Sequence, residues 1–157
     1  MVTVKTGCTS FNRQIGTPIS SDGQKMFLNI WEKGIICYDL MTMSVVWKLR
    51  KPHTMHIIVF DDYITVDKNG GYIIKIDMES GKIIDEIKSS TIIQHSRVSK
   101  NEVLAYYIKK TLAIIDTRDM SIVKLFEREY IPRGIGPYIR SASVRYENGE
   151  LKLITKG

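Results

Sequence analysis

Short apolar runs separated by polar turns recur along the whole chain. Runs of about four to eight residues that are rich in Val, Ile, Tyr and Phe, and that are bounded by Gly, Asn, Asp or Ser, are typical of β-strands. No segment shows the sustained i, i+3, i+4 spacing of apolar residues that marks an amphipathic helix. The pattern therefore predicts an all-β protein in which helix is nearly absent.

One hairpin pattern occurs three times at an almost fixed period. In each copy a β-branched run ends in an aspartate, a polar turn follows, and a second β-branched run comes next. The aspartates are Asp39, Asp77 and Asp116, which are spaced by 38 and 39 residues. A carboxylate at a strand end can accept hydrogen bonds from the N–H groups of the turn. We therefore expect these three aspartates to be structural turn caps.

A further turn and strand precede each copy, so that each unit comprises four short strands. Ser21-Asp22-Gly23-Gln24 leads into the first copy, Asp61-Asp62 into the second, and residues 99–101 into the third. The resulting unit of about 38 residues is close in length to the blade of a propeller. This order of turns and strands resembles the WD-repeat and quinoprotein-like β-propeller superfamily over residues 18–126, and residues 21–49 carry the resemblance best.

The resemblance is degenerate and implies an architecture without implying an activity. The Gly-His pair of WD repeats is missing, and its Trp-Asp pair becomes Tyr38-Asp39, Ile76-Asp77 and Ile115-Asp116. The subfamily is therefore not identifiable, and propellers host many unrelated functions. A β-sandwich is the alternative fold, because it also shows short strands at regular spacing.

The sequence predicts one domain of about four antiparallel blades. We place the blades at about residues 16–50, 55–88, 91–126 and 136–157, with residues 1–15 completing the last one. Ring closure removes open sheet edges. Three arrangements satisfy it: a four-bladed chain, a head-to-tail homodimer of eight blades, or a piece of a larger propeller. In the first two, residues 2–6 would pair with residues 151–155.

The cysteine content and the lengths of the apolar runs indicate the cellular compartment. The two cysteines, Cys8 and Cys37, do not make a disulfide framework in a chain of 157 residues, which favours a reducing compartment. No apolar run approaches the length of a membrane-spanning helix. We expect a soluble cytoplasmic protein that does not bind membranes.

No motif in the sequence recommends catalysis, a metal or a cofactor. The histidines His53, His56 and His95 lack the spacing of a zinc motif. Asp61-Asp62 is a carboxylate pair within one turn, where such pairs are usually solvated. Trp31 and Trp47 are expected to be aromatics that pack between blades. We therefore predict no catalytic residues, no metal ligands and no cofactor, and hence a protein that is not an enzyme.

The distribution of charged residues is the feature of the sequence that bears on function. The chain carries a net charge of +6. Connections between blades and turns between second and third strands share one propeller face, and the other hairpin turns share the opposite face. The predicted partner-binding residues on the first, basic face are Lys33, Arg50, Lys51, Lys68, Lys88, Lys109, Lys110, Arg128 and Arg133. The opposite face is acidic, with Asp22, Asp61, Asp62, Glu79, Glu102, Asp119, Glu147 and Glu150.

These features predict a protein–protein interaction module whose basic face docks an acidic partner, for instance an inhibitor or immunity-type protein. A nucleic-acid-binding propeller is the first alternative, although Tyr130 is the main aromatic expected on that face for base stacking. A small hydrolase or lyase with a site in the central channel is the second.

Overall fold

The computed structural model describes residues 18–89, 92–107, 112–126 and 144–153. Every regular element in these ranges is a β-strand, which confirms the predicted all-β class. In chain order the strands are β1 (Lys25–Ile30), β2 (Gly34–Asp39), β3 (Ser44–Leu49), β4 (Thr54–Val59), β5 (Tyr63–Lys68), β6 (Tyr72–Asp77), β7 (Ile83–Lys88), β8 (Ile92–Arg97), β9 (Glu102–Tyr107), β10 (Leu112–Asp116), β11 (Ser121–Phe126), β12 (Val144–Glu147) and β13 (Glu150–Leu153). No helix in the described ranges is long and apolar enough to cross a membrane.

The strands form antiparallel meanders in chain order. Blade 1 consists of β1, β2 and β3, which correspond to the second, third and fourth strands of the other blades, and an isolated bridge between Ile19 and Met26 lies beside β1. Blade 2 consists of β4 to β7, and blade 3 consists of β8 to β11. The strands β12 and β13 form a further hairpin. The predicted four-stranded antiparallel blade is therefore confirmed in blades 2 and 3.

The repeat extends to the irregularities of the backbone. In each blade the register shifts once between the third and fourth strands, at a β-bulge that leaves one extra residue in the outer strand. The extra residues are Val46, Ile84 and Val123, at the same spacing as the three aspartates. A bulge bends and twists an edge strand, and this hinders pairing with another chain.

A repeated hydrogen bond joins two turns of each blade. The backbone N–H that follows the strand-end aspartate donates to the turn between the first and second strands. The pairs are Leu40 to Gln24, Met78 to Asp62 and Thr117 to Asn101. The two kinds of turn therefore lie at the same end of each blade, as the sequence analysis assumed.

Apolar layers between neighbouring blades make the core. Blades 1 and 2 enclose one cluster that includes Phe27, Trp47 and Ile74. Blades 2 and 3 enclose a second cluster that includes Ile73 and Ile115. A third cluster covers the far side of blade 3, where the rings of Phe126 and Tyr146 meet edge to face at 6.4 Å. Blades 2 and 3 thus each bury two faces, which explains the nearly continuous apolar runs of their central strands.

Some predictions fall outside the described residues. The proposed pairing of residues 2–6 with residues 151–155 is one of them, and so are Cys8 and Tyr130. How the ring closes stays a prediction.

Candidate functional site

The strand-end aspartates hold their turns through side-chain hydrogen bonds. Asp39 Oδ1 accepts from the N–H groups of Met41 and Thr42 at 2.8 and 3.0 Å. Asp77 Oδ2 accepts from the N–H and the hydroxyl of Ser80 at 2.8 and 2.7 Å. These bonds favour the ionised carboxylates, so the pKa of Asp39 and that of Asp77 lie below the usual value.

Asp116 lies at the equivalent place in blade 3 and is paired with a cation. It accepts from the N–H of Arg118 at 2.9 Å, and its Oδ2 lies 2.6 Å from the Arg118 guanidinium. The side-chain hydrogen bond from Arg118 is the main reason that the pKa of Asp116 is lowered.

Backbone hydrogen bonds define the opposite end of the blades. His53, in the connection from blade 1 to blade 2, donates its N–H to Trp31 O in the turn between β1 and β2. The N–H of Asn69, in the turn between β5 and β6, donates to His53 O at 2.9 Å. The connection between blades and the two turns between second and third strands therefore lie together.

We call this end the basic face. The described cations that it carries are Lys33, Arg50, Lys51, Lys68 and Lys88, and Glu32 lies among them. The other predicted members lie outside the described residues, namely Lys109, Lys110, Arg128 and Arg133. In the described part of the chain, none of the five cations forms an ion pair. The ammonium groups of Lys68 and Lys88 lie 4.9 and 5.4 Å from the centroid of the Tyr72 ring.

The opposite, acidic face differs because several of its carboxylates already have partners. Glu79 pairs with Lys25 of blade 1 at 2.9 Å. Asp119 accepts from the N–H and hydroxyl of Ser121 at 3.0 and 2.7 Å. Asp22 accepts from the Ser20 hydroxyl, and that bond is the main cause of its lowered pKa. At this end Glu79 and Asp116 are thus ion-paired, whereas no described cation of the basic face is.

The prediction for the tryptophans is right for Trp47 and wrong for Trp31. Trp47 is 9% exposed and is inserted between blades 1 and 2, where its Nε1–H donates to Met78 O at 2.9 Å. Trp31 is 37% exposed and lies on the basic face. Its ring centroid is 5.0 Å from that of His53. Trp31 follows the last residue of β1, so its ring leaves the packed layer where the strand ends.

Aromatic content on the basic face is therefore higher than the sequence analysis supposed. Trp31, His53 and Tyr72 all belong to it. The rings of Trp31 and His53 contact each other, and the ammonium groups of Lys68 and Lys88 lie near the ring of Tyr72. The objection to nucleic acid that rested on missing aromatics is correspondingly weaker.

A buried carboxylate with two histidines is the feature that the sequence analysis missed. Asp67 lies near the end of β5 and is fully buried. Its Oδ1 accepts from the His56 N–H at 2.9 Å, and its Oδ2 accepts from the His95 N–H at 2.9 Å. The Nδ1 atoms of both imidazoles also lie within hydrogen-bonding distance, His56 at 3.0 Å and His95 at 2.7 Å from Oδ2.

The arrangement joins the first strands of two neighbouring blades, because His56 is in β4 and His95 is in β8. His95 Nε2 lies 2.9 Å from the Thr65 hydroxyl, so this buried imidazole has a partner on both nitrogens. The side chain of His56 is 36% exposed. Asp67 therefore acts as a polar bridge at the inner edge of the blade 2–blade 3 contact.

The ionised form of Asp67 and the protonated form of His56 are both favoured within this bridge. Burial opposes ionisation of Asp67, but hydrogen bonds from His56 and His95 outweigh it and hold the pKa of Asp67 far below its usual range. Burial also opposes protonation of His56, and the hydrogen bond and charge of Asp67 outweigh it, so the pKa of His56 is raised. A carboxylate that orients an imidazole in this way is found in catalytic triads and behind metal-bound histidines.

The neighbouring groups that the structure describes supply neither the nucleophile of a catalytic triad nor the further ligands of a metal site. Among the described residues, no serine, threonine or cysteine side chain hydrogen-bonds to His56. No group of three or more His, Cys, Asp or Glu side chains in those ranges is arranged to hold a metal ion.

A repeat signal could have found this bridge. Asn29 holds the same place in β1 as Asp67 holds in β5, the fifth position of the second strand. Its amide donates to Thr54 O and Met55 O in the first strand of the next blade, and its Oδ1 accepts from the Thr54 hydroxyl at 2.9 Å. A polar residue at this position therefore ties each of these two blades to the following one.

Comparison with known proteins identifies the class of fold. No protein-family model matches the sequence, and no curated protein sequence matches it. Several solved structures match with TM-scores above 0.5. BamB from Moraxella catarrhalis matches at a TM-score of 0.58 and 18% identity, over 71% of this chain and 35% of BamB. The WD40 repeats of RRP9 match at 0.61 and 8% identity, over 69% of this chain and 36% of that one.

The N-terminal domain of Nup159 is a third match, with a TM-score of 0.60 and 15% identity over 78% of this chain and 38% of that one. The chain thus spans little more than a third of the length of these structures. At such identities the likeness is one of fold alone. The described residues form consecutive blades of a β-propeller, and the resemblance to WD-repeat and BamB-type propellers is confirmed.

Proposed function

We propose that this chain is a non-catalytic protein-interaction module that docks an acidic partner protein on its basic face. The observation that carries the proposal is the contrast between the two ends of the blades. Five cations at one end have no ion-pair partner among the described residues, whereas at the other end Glu79 and Asp116 are paired with Lys25 and Arg118. The β-propeller is commonly a scaffold for protein interactions. An inhibitor or immunity-type protein that covers an acidic toxin surface would be one instance.

The physical reason lies in the summed field of unpaired charges. Cations that are not neutralised locally attract an oppositely charged surface, raise its association rate and orient its approach. They contribute little to folding, because exposed charges in water interact weakly. A face of this kind is therefore expected to matter for binding and hardly at all for stability.

Charge reversal on each face tests the proposal. The variant carrying Lys33→Glu, Arg50→Glu and Lys51→Glu should lose most of the partner protein that the native chain retains from an extract of its host. Its melting temperature should hardly change. The matched control carries Asp61→Lys, Asp62→Lys and Glu79→Lys on the acidic face and should retain the partner. Equal retention by both variants would refute the proposal.

Nucleic-acid binding is the second candidate, and the exposed ring of Trp31 among the cations favours it. Bases stack on such rings while lysines contact phosphates. Competition separates the two candidates. Excess single-stranded DNA should displace a nucleic-acid ligand and leave a protein partner bound to the native chain.

A further inference from the structure

We infer that Trp31 and His53 form the centre of the docking surface and that they bind an apolar side chain flanked by carboxylates on the partner. This inference rests on the proposed function and names the partner's chemistry. The proposed function requires only that the partner be acidic. The present inference adds that it must also insert an apolar group on the indole.

The exposure of Trp31 is the first reason. A large aromatic ring left partly in water at a turn is the residue type most enriched at the energetic centres of protein interfaces. The other tryptophan of the chain, Trp47, is inserted between two blades and has a hydrogen-bond partner for its indole N–H. Trp31 packs against His53, with ring planes inclined by 51°. Its remaining surface is available for a partner.

The second reason is that the backbone holds the ring pair of Trp31 and His53, which we call the platform, in place. His53 has a φ of 65°, in the left-handed region that non-glycine residues rarely occupy. Hydrogen bonds from His53 N to Trp31 O and from Asn69 N to His53 O fix it there. A strained conformation of this kind persists only where surrounding contacts hold it, and such residues are often found at binding sites.

Gly34 brings the turn of Trp31 against the connection that carries His53. Its φ is 122°, and a Cβ at this position would overlap the carbonyl oxygen of Leu49 and the backbone nitrogen of Lys51. Only glycine permits this approach. Because the platform is already ordered, a partner would lose little binding energy to ordering it.

Cations in the same two turns are the third reason. Lys33 lies in the same turn as Trp31, and Lys51 lies in the same connection as His53. An aromatic centre with a polar rim is the usual anatomy of a protein interface. The complementary ligand is an acidic segment with one apolar side chain at its middle. A purely acidic segment would satisfy the cations and leave the indole uncovered.

Two synthetic peptides of equal charge, Glu-Glu-Phe-Glu-Glu and Glu-Glu-Ser-Glu-Glu, test the inference. Binding is followed by the protection of tryptophan fluorescence from acrylamide and, independently, by calorimetry. On the native chain we expect the Phe peptide to bind about tenfold more tightly, a difference of about 1.4 kcal/mol. Trp31→Ala should remove this preference. Met41→Ala, which truncates an exposed apolar side chain on the acidic face, should preserve it.

The outcomes are distinguishable. Equal affinity of the two peptides for the native chain, or a preference that survives Trp31→Ala, would overturn the inference. If Lys33→Glu with Lys51→Glu weakens both peptides in that case, the proposed function still stands. If charge reversal leaves both affinities unchanged, the proposed function fails as well. Tighter binding of a dT12 oligonucleotide than of either peptide, lost in Trp31→Ala, would overturn the inference in favour of nucleic acid.

Discussion

The two contacts between neighbouring blades achieve the same packing with different chemistry. Between blades 1 and 2, the surfaces that meet are mostly apolar and include Phe27, Cys37 and Trp47, and the buried Asn29–Thr54 pair is the polar exception. Between blades 2 and 3, polar side chains are buried as well, and they belong to Thr65, Asp67, Lys75 and His95. Equivalent strands of the repeat keep one polar tie, through Asn29 or Asp67, and differ at other positions that face the next blade.

The apolar contact depends on the fit of one large side chain. The Trp47 indole packs on Gly81, where a Cβ would lie 2.5 Å from the ring. The rings of Phe27 and Trp47 are 6.0 Å apart. Cys37 is buried in the same layer, and burial raises the pKa of its thiol to about 11, so this thiol stays protonated at neutral pH.

The polar contact depends on matched hydrogen bonds. Lys75 Nζ donates to Arg118 O at 2.6 Å and lies 4.2 Å from the centroid of the Tyr63 ring. The Tyr63 hydroxyl lies 2.7 Å from that of Thr117. In both contacts one side-chain N–H of a blade reaches a carbonyl in the third-to-fourth-strand turn of the next blade, from Trp47 in blade 1 and from Lys75 in blade 2.

The difference between the two contacts predicts different responses to mutation. An apolar layer tolerates changes that conserve volume. A buried polar network fails when one member is lost, because the remaining groups stay buried without partners. Blade 2 therefore meets blade 1 mainly by shape, with one neutral polar tie through Asn29, and meets blade 3 through a larger network that includes Asp67 and Lys75.

Asp67→Ala should have the largest effect. It leaves the donors of His56 and His95 without their shared acceptor, and breaking a buried charged pair typically costs about 3 to 5 kcal/mol. Chemical denaturation should show a fall of that size in the free energy of unfolding. Asp67→Asn, which keeps one acceptor, should lose less. If the alanine variant is as stable as the native chain, the polar contact is not a structural bridge.

Gly81→Ala should have the next largest effect. The methyl group would strike Trp47, and alanine would have to adopt a φ of 72°. Overpacking and left-handed strain together suggest a loss of about 2 to 4 kcal/mol. The equivalent residue in blade 1, Met43, has a φ of 54° and is exposed, so Met43→Gly should change stability by less than about 1 kcal/mol. Similar melting shifts for the two variants would contradict this account of Trp47.

Asp77→Ala removes the cap of the turn that carries Met78 and Gly81, on which Trp47 of blade 1 packs. Losing hydrogen bonds to a charged acceptor typically costs about 1.5 to 3 kcal/mol. We expect lower stability in thermal denaturation and unchanged partner binding by the folded fraction. Lost binding at unchanged stability would show that this aspartate belongs to a binding site.

The smallest effect should be a pH dependence that is confined to the polar contact. The folded-state pKa of His56 is raised, so its contribution is fully present below the ordinary histidine value of 6.5 and is lost as the pH rises through the folded-state pKa. The stability difference between the native chain and His56→Gln should therefore shrink as the pH rises from about 5 to about 8. A difference that grows over this range would reverse the assigned sign.

Local pattern was sufficient for the elements of the fold. The spacing of Asp39, Asp77 and Asp116 predicted the hairpins, because the third and fourth strands and the turn between them are contiguous in sequence. The assignment of turns to faces followed from the same periodicity, and Lys33 and Lys51 lie where it placed them. Strand ends and turn residues are local features, which a single sequence can reveal.

Contacts between blades were beyond the reach of local pattern. Asp67 lies within an apolar strand, and it meets His95, which follows 28 residues later, only because two first strands come side by side. The exposure of Trp31 depends on where β1 ends and on how closely Gly34 approaches the next connection. These relations arise from the stacking of blades, whereas the repeat in the sequence describes one blade at a time.

Amide hydrogen exchange tests the central claim most directly, because it reports each turn of the native chain without substitution. Exchange is measured with and without the partner protein that the chain retains from its host. The account predicts that the partner slows exchange at residues 31–34, 50–53 and 68–72 on the basic face and leaves residues 21–24, 61–63 and 78–82 unchanged. Protection of the second set without the first would contradict the claim that the basic face is the docking surface.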